Sequence, residues 1–354
     1  MMSIFRLWKM SEMMSPRPSD ILMTRFLRFT IRSEDSRGNS MAVEQRSWAL
    51  RFGELGLKSP RVRRNFERVL RSSLERAAIR NGMDLCFERQ ESLMLAFSHA
   101  EPVRVEESFR RCFGLVGADP ISPMQLNPEV VAKAAVERDP KKGEYRTFAV
   151  RCKRSGAKQN WNSQEFAGEV GYHMLQMDPE LKVDLSNPQI TVKVHMNPSQ
   201  AWLMGDRIPG PGGLPCGVQG NVIAKITDRN QLLSAWQVMR RGAAIVPLPG
   251  CDEELMAILD EWDPGILEAS KGNPSAARRK RQGKRTPWGF IGIMRDEAEE
   301  LIRIDRDRIT PAVELDATHG WNEVEKSALL EHLLDPASKP WGHAGNPNLM
   351  SWIT

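Results

Sequence analysis

Seven consecutive residues past the middle of the chain, Pro209-Gly210-Pro211-Gly212-Gly213-Leu214-Pro215, cannot continue a helix or a central strand. They divide the 354 residues into two stretches, and each is long enough for at least one core of about 100 to 150 residues. No run approaches the roughly 18 uninterrupted apolar residues that span a bilayer, so no membrane partner is expected. Cys86, Cys112, Cys152, Cys216 and Cys251 are scattered without close pairs, which fits a reducing cytoplasm and supplies no disulfide framework.

Before the divide, the pattern is that of helices laid on antiparallel strands. Residues 1–40 hold many Met and Ser with little periodicity, and 1–45 reads as a disordered leader or a mis-assigned start, with Met41 as an alternative beginning. From Ser47 an apolar stretch leads to Ser59, placed to cap a helix with Pro60 at its first position. Phe66, Val69, Leu70 and Leu74 recur at helical spacing, while Arg61, Arg64, Arg68 and Arg71 line another face. Strands are expected around 84–88 and 93–98, a helix over 104–112 and a further apolar stretch at 113–117, which together make a small α+β unit over 46–120.

A second unit, 121–220, has a helix over 130–138 and a strand over 145–153, in which Phe148, Val150 and Cys152 alternate with Arg151 and Lys153. Asn162 with Glu165 three residues on predicts a capping box that opens a helix toward Met177. Strands are expected at 190–195 and 201–204. After the divide, residues 221–354 alternate strand with helix, the pattern of a parallel α/β sheet. A basic loop, 271–286, interrupts it and carries six Lys or Arg among the eight residues Arg278 to Arg285.

Charge separates the same parts. Lys and Arg outnumber Asp and Glu by 14 to 11 in residues 41–120 and by 13 to 10 in 121–225, but are outnumbered by 16 to 20 in 226–354. The six histidines are dispersed and no cysteine pair has zinc spacing, so no metal site is expected. No G-x-S-x-G elbow or G-x-x-x-x-G-K-[ST] loop is present, so no catalytic residue is assigned. Lys141, Lys142, Arg146, Arg151, Lys153, Arg154 and Lys158 face few acids in sequence, which is the local excess that binds phosphates.

Several of these segments match a known pattern in order. Arg51-Phe52-Gly53-Glu54-Leu55-Gly56-Leu57-Lys58, Arg64-Asn65-Phe66, the run Thr147 to Arg154, Glu169-Val170-Gly171, Val183-Asp184-Leu185 with Pro188, and Gly210 to Gly217 resemble the tRNA 4-thiouridine synthetase (tRNA uracil 4-sulfurtransferase) family over residues 46–225. The resemblance implies a ferredoxin-like domain followed by a THUMP domain, an RNA-binding module that in this family holds the acceptor end of tRNA. Residues 222–354 resemble the family's pyrophosphatase-loop ATP domain only faintly, as a shortened, Rossmann-like α/β unit.

At the loop where that family carries S-G-G-x-D-S, this chain has Ile226, Thr227, Asp228, Arg229, Asn230 and Gln231. Both glycines are gone, so backbone N–H groups lose close access to a phosphate, and a carboxylate stands where phosphates need positive or neutral surroundings. The expected function is that of a cytoplasmic tRNA-binding THUMP protein in tRNA modification, without ATP-dependent catalysis of its own and with no cofactor. Lys58, Arg61, Arg64, Arg151, Lys153, Arg154 and Lys158 are its expected RNA contacts, and the 278–285 run an auxiliary arm. A separate modification enzyme or sulfur donor is its expected protein partner, and a homodimer its candidate assembly. The alternative is an active tRNA uracil 4-sulfurtransferase that uses ATP, or a subunit that takes catalysis from a partner.

Overall fold

The computed structural model describes residues 45–53, 59–91, 93–157, 160–275, 278–280, 286–302 and 313–340. The first strand, β1 (Arg46–Phe52), is the middle of an antiparallel set: it pairs β3 (Leu93–Ser98) on one side and β4 (Leu115–Gln125) on the other, and β2 (Cys86–Gln90) pairs β3. Helices α1 (Pro60–Arg80) and α2 (Pro102–Arg110) cover one face. Trp48, Leu50, Leu70, Leu74, Met94, Val105 and Phe109 form the core between them, because alternate strand residues and the i, i+4 helix stripe face each other. Pro60 and Pro102 stand at the helix starts, where a missing N–H costs nothing. Ser59 occupies the cap position of α1 without a side-chain hydrogen bond to the helix.

The next part continues the same sheet. Residues 121–125 of β4 pair β8 (Gln200–Met204), so Ile121 is in register with both Ser47 of β1 and Met204 of β8. From β8 the sheet runs on through β7 (Ile190–Met196), β5 (Arg146–Arg154) and β6 (Leu181–Val183), with β9 (Ile208–Pro209) on the early half of β4. Strand β4 was unexpected as far as residue 125, since Pro120 and Pro123 resemble loop residues. Helices α3 (Pro128–Arg138) and α4 (Ser163–Met177) pack on this half through Val131, Val136, Phe166 and Val170 against Phe148, Val192 and Val194. The capping box at Asn162 and Glu165 forms as expected, with both reciprocal bonds present.

Among the described residues, the opposite face of this sheet carries no helix. It curls on itself around Ala49, Leu93, Leu95, Ile121 and Trp202, and the β2–β3 and β7–β8 hairpins meet where Gln200 donates to Gln90 at 3.1 Å.

After the Gly/Pro stretch, β10 (Asn221–Ala224), β11 (Ala244–Pro247), β12 (Gly289–Ile291) and β13 (Val313–Glu314) form a second, all-parallel sheet in the order β11-β10-β12-β13. Its helices are α5 (Arg229–Arg240), α6 (Glu253–Trp262), α7 (Ile266–Ser270), α8 (Arg295–Ile302) and α9 (Glu323–Leu334). The core of this part admits a residue from the first: Phe113 lies 5.5 Å from the ring of Trp236 and 5.4 Å from that of Trp262.

Arginines of the first part also hold α6. Arg80 pairs with Asp260 (2.9 Å) and Glu261 (2.6 Å), and Arg111 donates to Leu333 O and lies over the Trp262 ring. Part of the acidic balance of residues 226–354 is thus matched inside the molecule. Among the described residues, no helix is long and apolar enough to cross a membrane.

Candidate nucleic-acid interface

Strand β5 places its basic residues by simple alternation. Val150 and Cys152 pack toward α3 and α4, so Arg151 and Lys153 emerge on the helix-free face, both exposed. The neighbouring strand β7 runs parallel and in register, with Arg151 opposite Lys193 and Lys153 opposite His195. Lys193 is also exposed, and its other neighbour, on β8, is Met204. Arg151, Lys153 and Lys193 form no ion pair with any described residue; Arg151 donates only to the carbonyl of Leu185, at 2.5 Å. Like charges side by side in a sheet are destabilising unless an anion lies over them, and a phosphate backbone is such an anion.

The face extends onto the first half of the sheet. Arg51 of β1 donates Nη2 to Met204 Sδ at 3.5 Å and Nε to Asp119 Oδ2 at 2.6 Å. His195, buried between these groups, bonds Ser155 Oγ through Nε2 at 3.0 Å and stacks near Trp202. Burial first, then the positive charges of Arg51 and Lys153, push its imidazole down to about 4, so the ring is neutral near pH 7.

The other expected contacts are distributed differently. Arg61 and Arg64 are exposed in the first turns of α1 and have no ion pair among the described residues, but they lie on a separate element from Arg151 and Lys153. Arg154 is exposed at the end of β5, on the alternate side from Arg151 and Lys153. Lys58 and Lys158 lie outside the described residues.

Two residues counted as surface charge are structural. Arg146 is only 3% exposed and bonds Asp178 at 2.7 Å as well as Asp139, because it points into the α3–α4 side of β5 rather than out of the sheet. Arg278, the first residue of the 278–285 run, is fully buried on Asp263 (2.6 Å) and the carbonyl of Ile245. Residues 281–285 of that run lie outside the described residues.

Sequence reasoning missed Lys193 and Arg51. Lys193 was one charge in an apolar alternation, and only the parallel register with Arg151 makes it part of a cluster.

The loop between β10 and α5 closes on itself. In an open parallel sheet the ligand crevice lies at the carboxyl ends of the strands where the order reverses, here between β10 and β12. Ile226 is buried; its N–H donates to Cys251 Sγ (3.3 Å) and its carbonyl accepts from Asp252 N (2.8 Å). Thr227 donates its N–H (2.7 Å) and its hydroxyl (3.1 Å) to Gln231 Oε1. Asp228 caps α5 by accepting from Gln231 N at 2.9 Å, and Asn230 is exposed. Gln231 in turn packs on Gly292 at the end of β12. That glycine has φ +68, and a Cβ there would fall 2.1 Å from Lys225 O and 2.8 Å from Gln231 Cδ. The place an anion takes at a helix N-terminus is filled by the chain's own carboxylate.

Comparison with known proteins places a THUMP domain in the second half of the first sheet. The THUMP domain family matches residues 129–206, which comprise α3 through β8 and include Arg151, Lys153 and Lys193. A probable tRNA sulfurtransferase of Methanobrevibacter smithii is 30% identical over 211 residues, covering 57% of this chain and 52% of that protein. A second, from Thermococcus kodakarensis, is 29% identical over 209 residues, covering 56% and 54%. In fold, the chain is similar to the crystal structure of PH1313 from Pyrococcus horikoshii, with TM-score 0.62, 22% identity, and coverage of 81% of this chain and 99% of that one. It is also similar to a 4-thiouridine synthetase–RNA complex with bound ATP, with TM-score 0.58, 20% identity, and coverage of 84% and 88%.

The chain is a THUMP-domain protein. It is similar to probable tRNA sulfurtransferases, and it spans about half the length of the curated relatives it matches.

Proposed function

We propose that this chain binds tRNA at the acceptor end in a step of tRNA modification and carries no ATP-dependent catalysis of its own. The observation that carries the proposal is the unpaired row of Arg151, Lys193 and Lys153 on the helix-free face of the matched THUMP domain. The order β2-β3-β1-β4 over 46–120 supports a ferredoxin-like domain there. In this layout 121–220 is the THUMP domain and 221–354 a pyrophosphatase-loop-like domain retained as scaffold or partner-docking body, with basic loop 271–286. Ile226, Thr227, Asp228, Asn230 and Gln231 do not fit a nucleotide phosphate, because the amide and hydroxyl donors are spent on Gln231 and Asp228 and a negative charge stands at the helix start. Catalysis or sulfur then comes from a separate polypeptide, in the cytoplasm.

The test is tRNA binding over a salt series. Affinity should fall as salt rises, with a log–log slope of about 0.9 for each phosphate neutralised on a duplex stem, and tRNA should outcompete heparin. Equal affinity for heparin and tRNA would defeat the proposal. Saturable micromolar ATP binding would overturn the part that denies ATP chemistry and favour an active tRNA uracil 4-sulfurtransferase.

A further inference from the structure

Beyond the row on β5 and β7, the helix-free face holds a second arrangement of positive charge, and this one is built rather than merely exposed. Asp119 of β4 is buried and receives three N–H bonds from two arginines far apart in sequence. Arg51 donates Nε to Oδ2 at 2.6 Å, and Arg207, in the turn before β9, donates Nε to Oδ1 at 2.7 Å and Nη2 to Oδ2 at 3.1 Å. Burial alone would raise the Asp119 carboxyl, but the hydrogen bonds from Arg207 and Arg51 hold it below its ordinary range, so it is ionised. Two guanidiniums on one carboxylate leave a net charge of plus one.

The site is prepared for Arg207. A Cβ on Gly117 would fall 2.9 Å from both Cγ and Cδ of Arg207 and 2.7 Å from Ile208 O, so the bare strand lets the arginine lie flat across it. The Nη1 groups of Arg51 and Arg207 have no partner among the described residues, and the Arg207 side chain is 50% exposed. The same motif elsewhere is more enclosed: Asp263 also receives two arginines, Arg278 and Arg76, but those are 0% and 13% exposed, against 23% for Arg51 and 50% for Arg207. Arg51 also reaches Met204, the register neighbour of Lys193, so the arginine pair adjoins the basic row.

We infer that Arg51 and Arg207, oriented by Asp119, form a clamp for one backbone phosphodiester of the bound RNA. Guanidiniums fixed by a carboxylate retain outward N–H groups in a plane suited to phosphate oxygens, and less freedom is lost on binding. The inference rests on the RNA-binding proposal and deepens it by naming a phosphate subsite on the first half of the sheet, with Arg51, Asp119 and Arg207 all outside the matched THUMP residues 129–206.

The experiment measures affinity of the full chain for a tRNA acceptor-stem hairpin by fluorescence anisotropy over a salt series, with a thermal melt for every variant. Arg207→Lys keeps the charge but loses the fork, and should weaken binding about fivefold with little change in salt slope. Arg207→Ala should weaken it further and lower the slope by about 0.9, one phosphate on a duplex.

Asp119→Asn adds one positive charge. A face that binds by charge alone would then bind tighter, whereas loss of the clamp's orientation predicts weaker binding. Should Asp119→Asn fail to fold, Arg51→Lys, which keeps the charge and loses the fork on the other side of Asp119, is expected to weaken binding as Arg207→Lys does. Wild-type affinity in both Arg207 variants, while Lys193→Ala or Arg151→Ala loses affinity, would overturn the clamp and leave the RNA interface standing. A wild-type chain that does not bind the hairpin would overturn the RNA-binding proposal and the clamp with it.

Discussion

The helix-free face of the first sheet and the crevice of the second differ in how their polar groups are satisfied. On the face, Arg151, Lys153 and Lys193 stand in adjacent positions with no carboxylate among the described residues to neutralise them, and the Arg51–Asp119–Arg207 group keeps an excess positive charge. In the crevice, Thr227 donates twice to Gln231 and Asp228 accepts from the first turn of α5. One surface keeps its positive charge unneutralised among the described residues; in the other the polar groups bond one another. The difference shows why net charge along a chain is a poor guide: the first part is basic, yet Arg80, Arg76 and Arg111 are spent on the acidic or carbonyl groups of the last part.

The sharpest way to break this contrast is to reverse the charge on the face. Arg151→Glu, Lys153→Glu and Lys193→Glu together should lower tRNA affinity by about a hundredfold or more near 0.1 M salt, since three phosphate contacts become repulsive. A competition binding assay reads this directly. Lys133→Glu, Arg295→Glu and Lys339→Glu together, at exposed residues of other elements, should change affinity far less, and equal losses would show that the face has no special role.

A pH series compares the two regions by their buried histidines. His195 lies under the face, and His332 lies in the second core between Trp236 and Trp262. Burial, reinforced by nearby arginines, holds His332 at about 4 against the opposing bond to the carbonyl of Lys339, and His195 is held at about 4 as well. Both folded values lie below the ordinary unfolded value, so the unfolded state takes up protons first. Stability is fully present above about pH 6.5 and is lost as pH falls toward 4. Melting temperatures should drop across that window. His195→Gln or His332→Gln should each flatten the pH dependence, whatever its effect at pH 7. RNA affinity should gain nothing from His195 between pH 8 and 6, because the ring stays neutral there.

The smallest expected effect is in the crevice. Asp228→Ala removes the cap of α5 and should cost about 1 kcal/mol in a urea melt, without changing tRNA affinity. Added ATP should leave the wild-type melting temperature unchanged. Binding with ATP at 100 times its dissociation constant would stabilise the fold by about 2.7 kcal/mol, which a thermal scan would detect.

Much of this was legible locally. The alternation in 145–153, the capping box at Asn162 and Glu165, and the strand–helix alternation of residues 221–334 all correspond to elements in the structure. The contacts of the crevice loop run between near neighbours in sequence, Thr227 and Asp228 with Gln231. Strand β4 was not legible, since Pro120 and Pro123 argue against a strand unless the ladder they interrupt is known.

Sequence alone determined which residue types stand at each position, where most of the helices and strands form, and that the loop at 226–231 holds no glycine. Tertiary structure decided which charges are free. Arg146 and Arg151 share one strand, yet one is buried on Asp178 and the other meets solvent beside Lys193; Asp119 lies 68 residues from Arg51 and 88 from Arg207, yet binds both. Local propensity follows from neighbours along the chain. Ion pairing depends on strand register and on which face of a sheet is covered, and both are set by packing between segments remote in sequence.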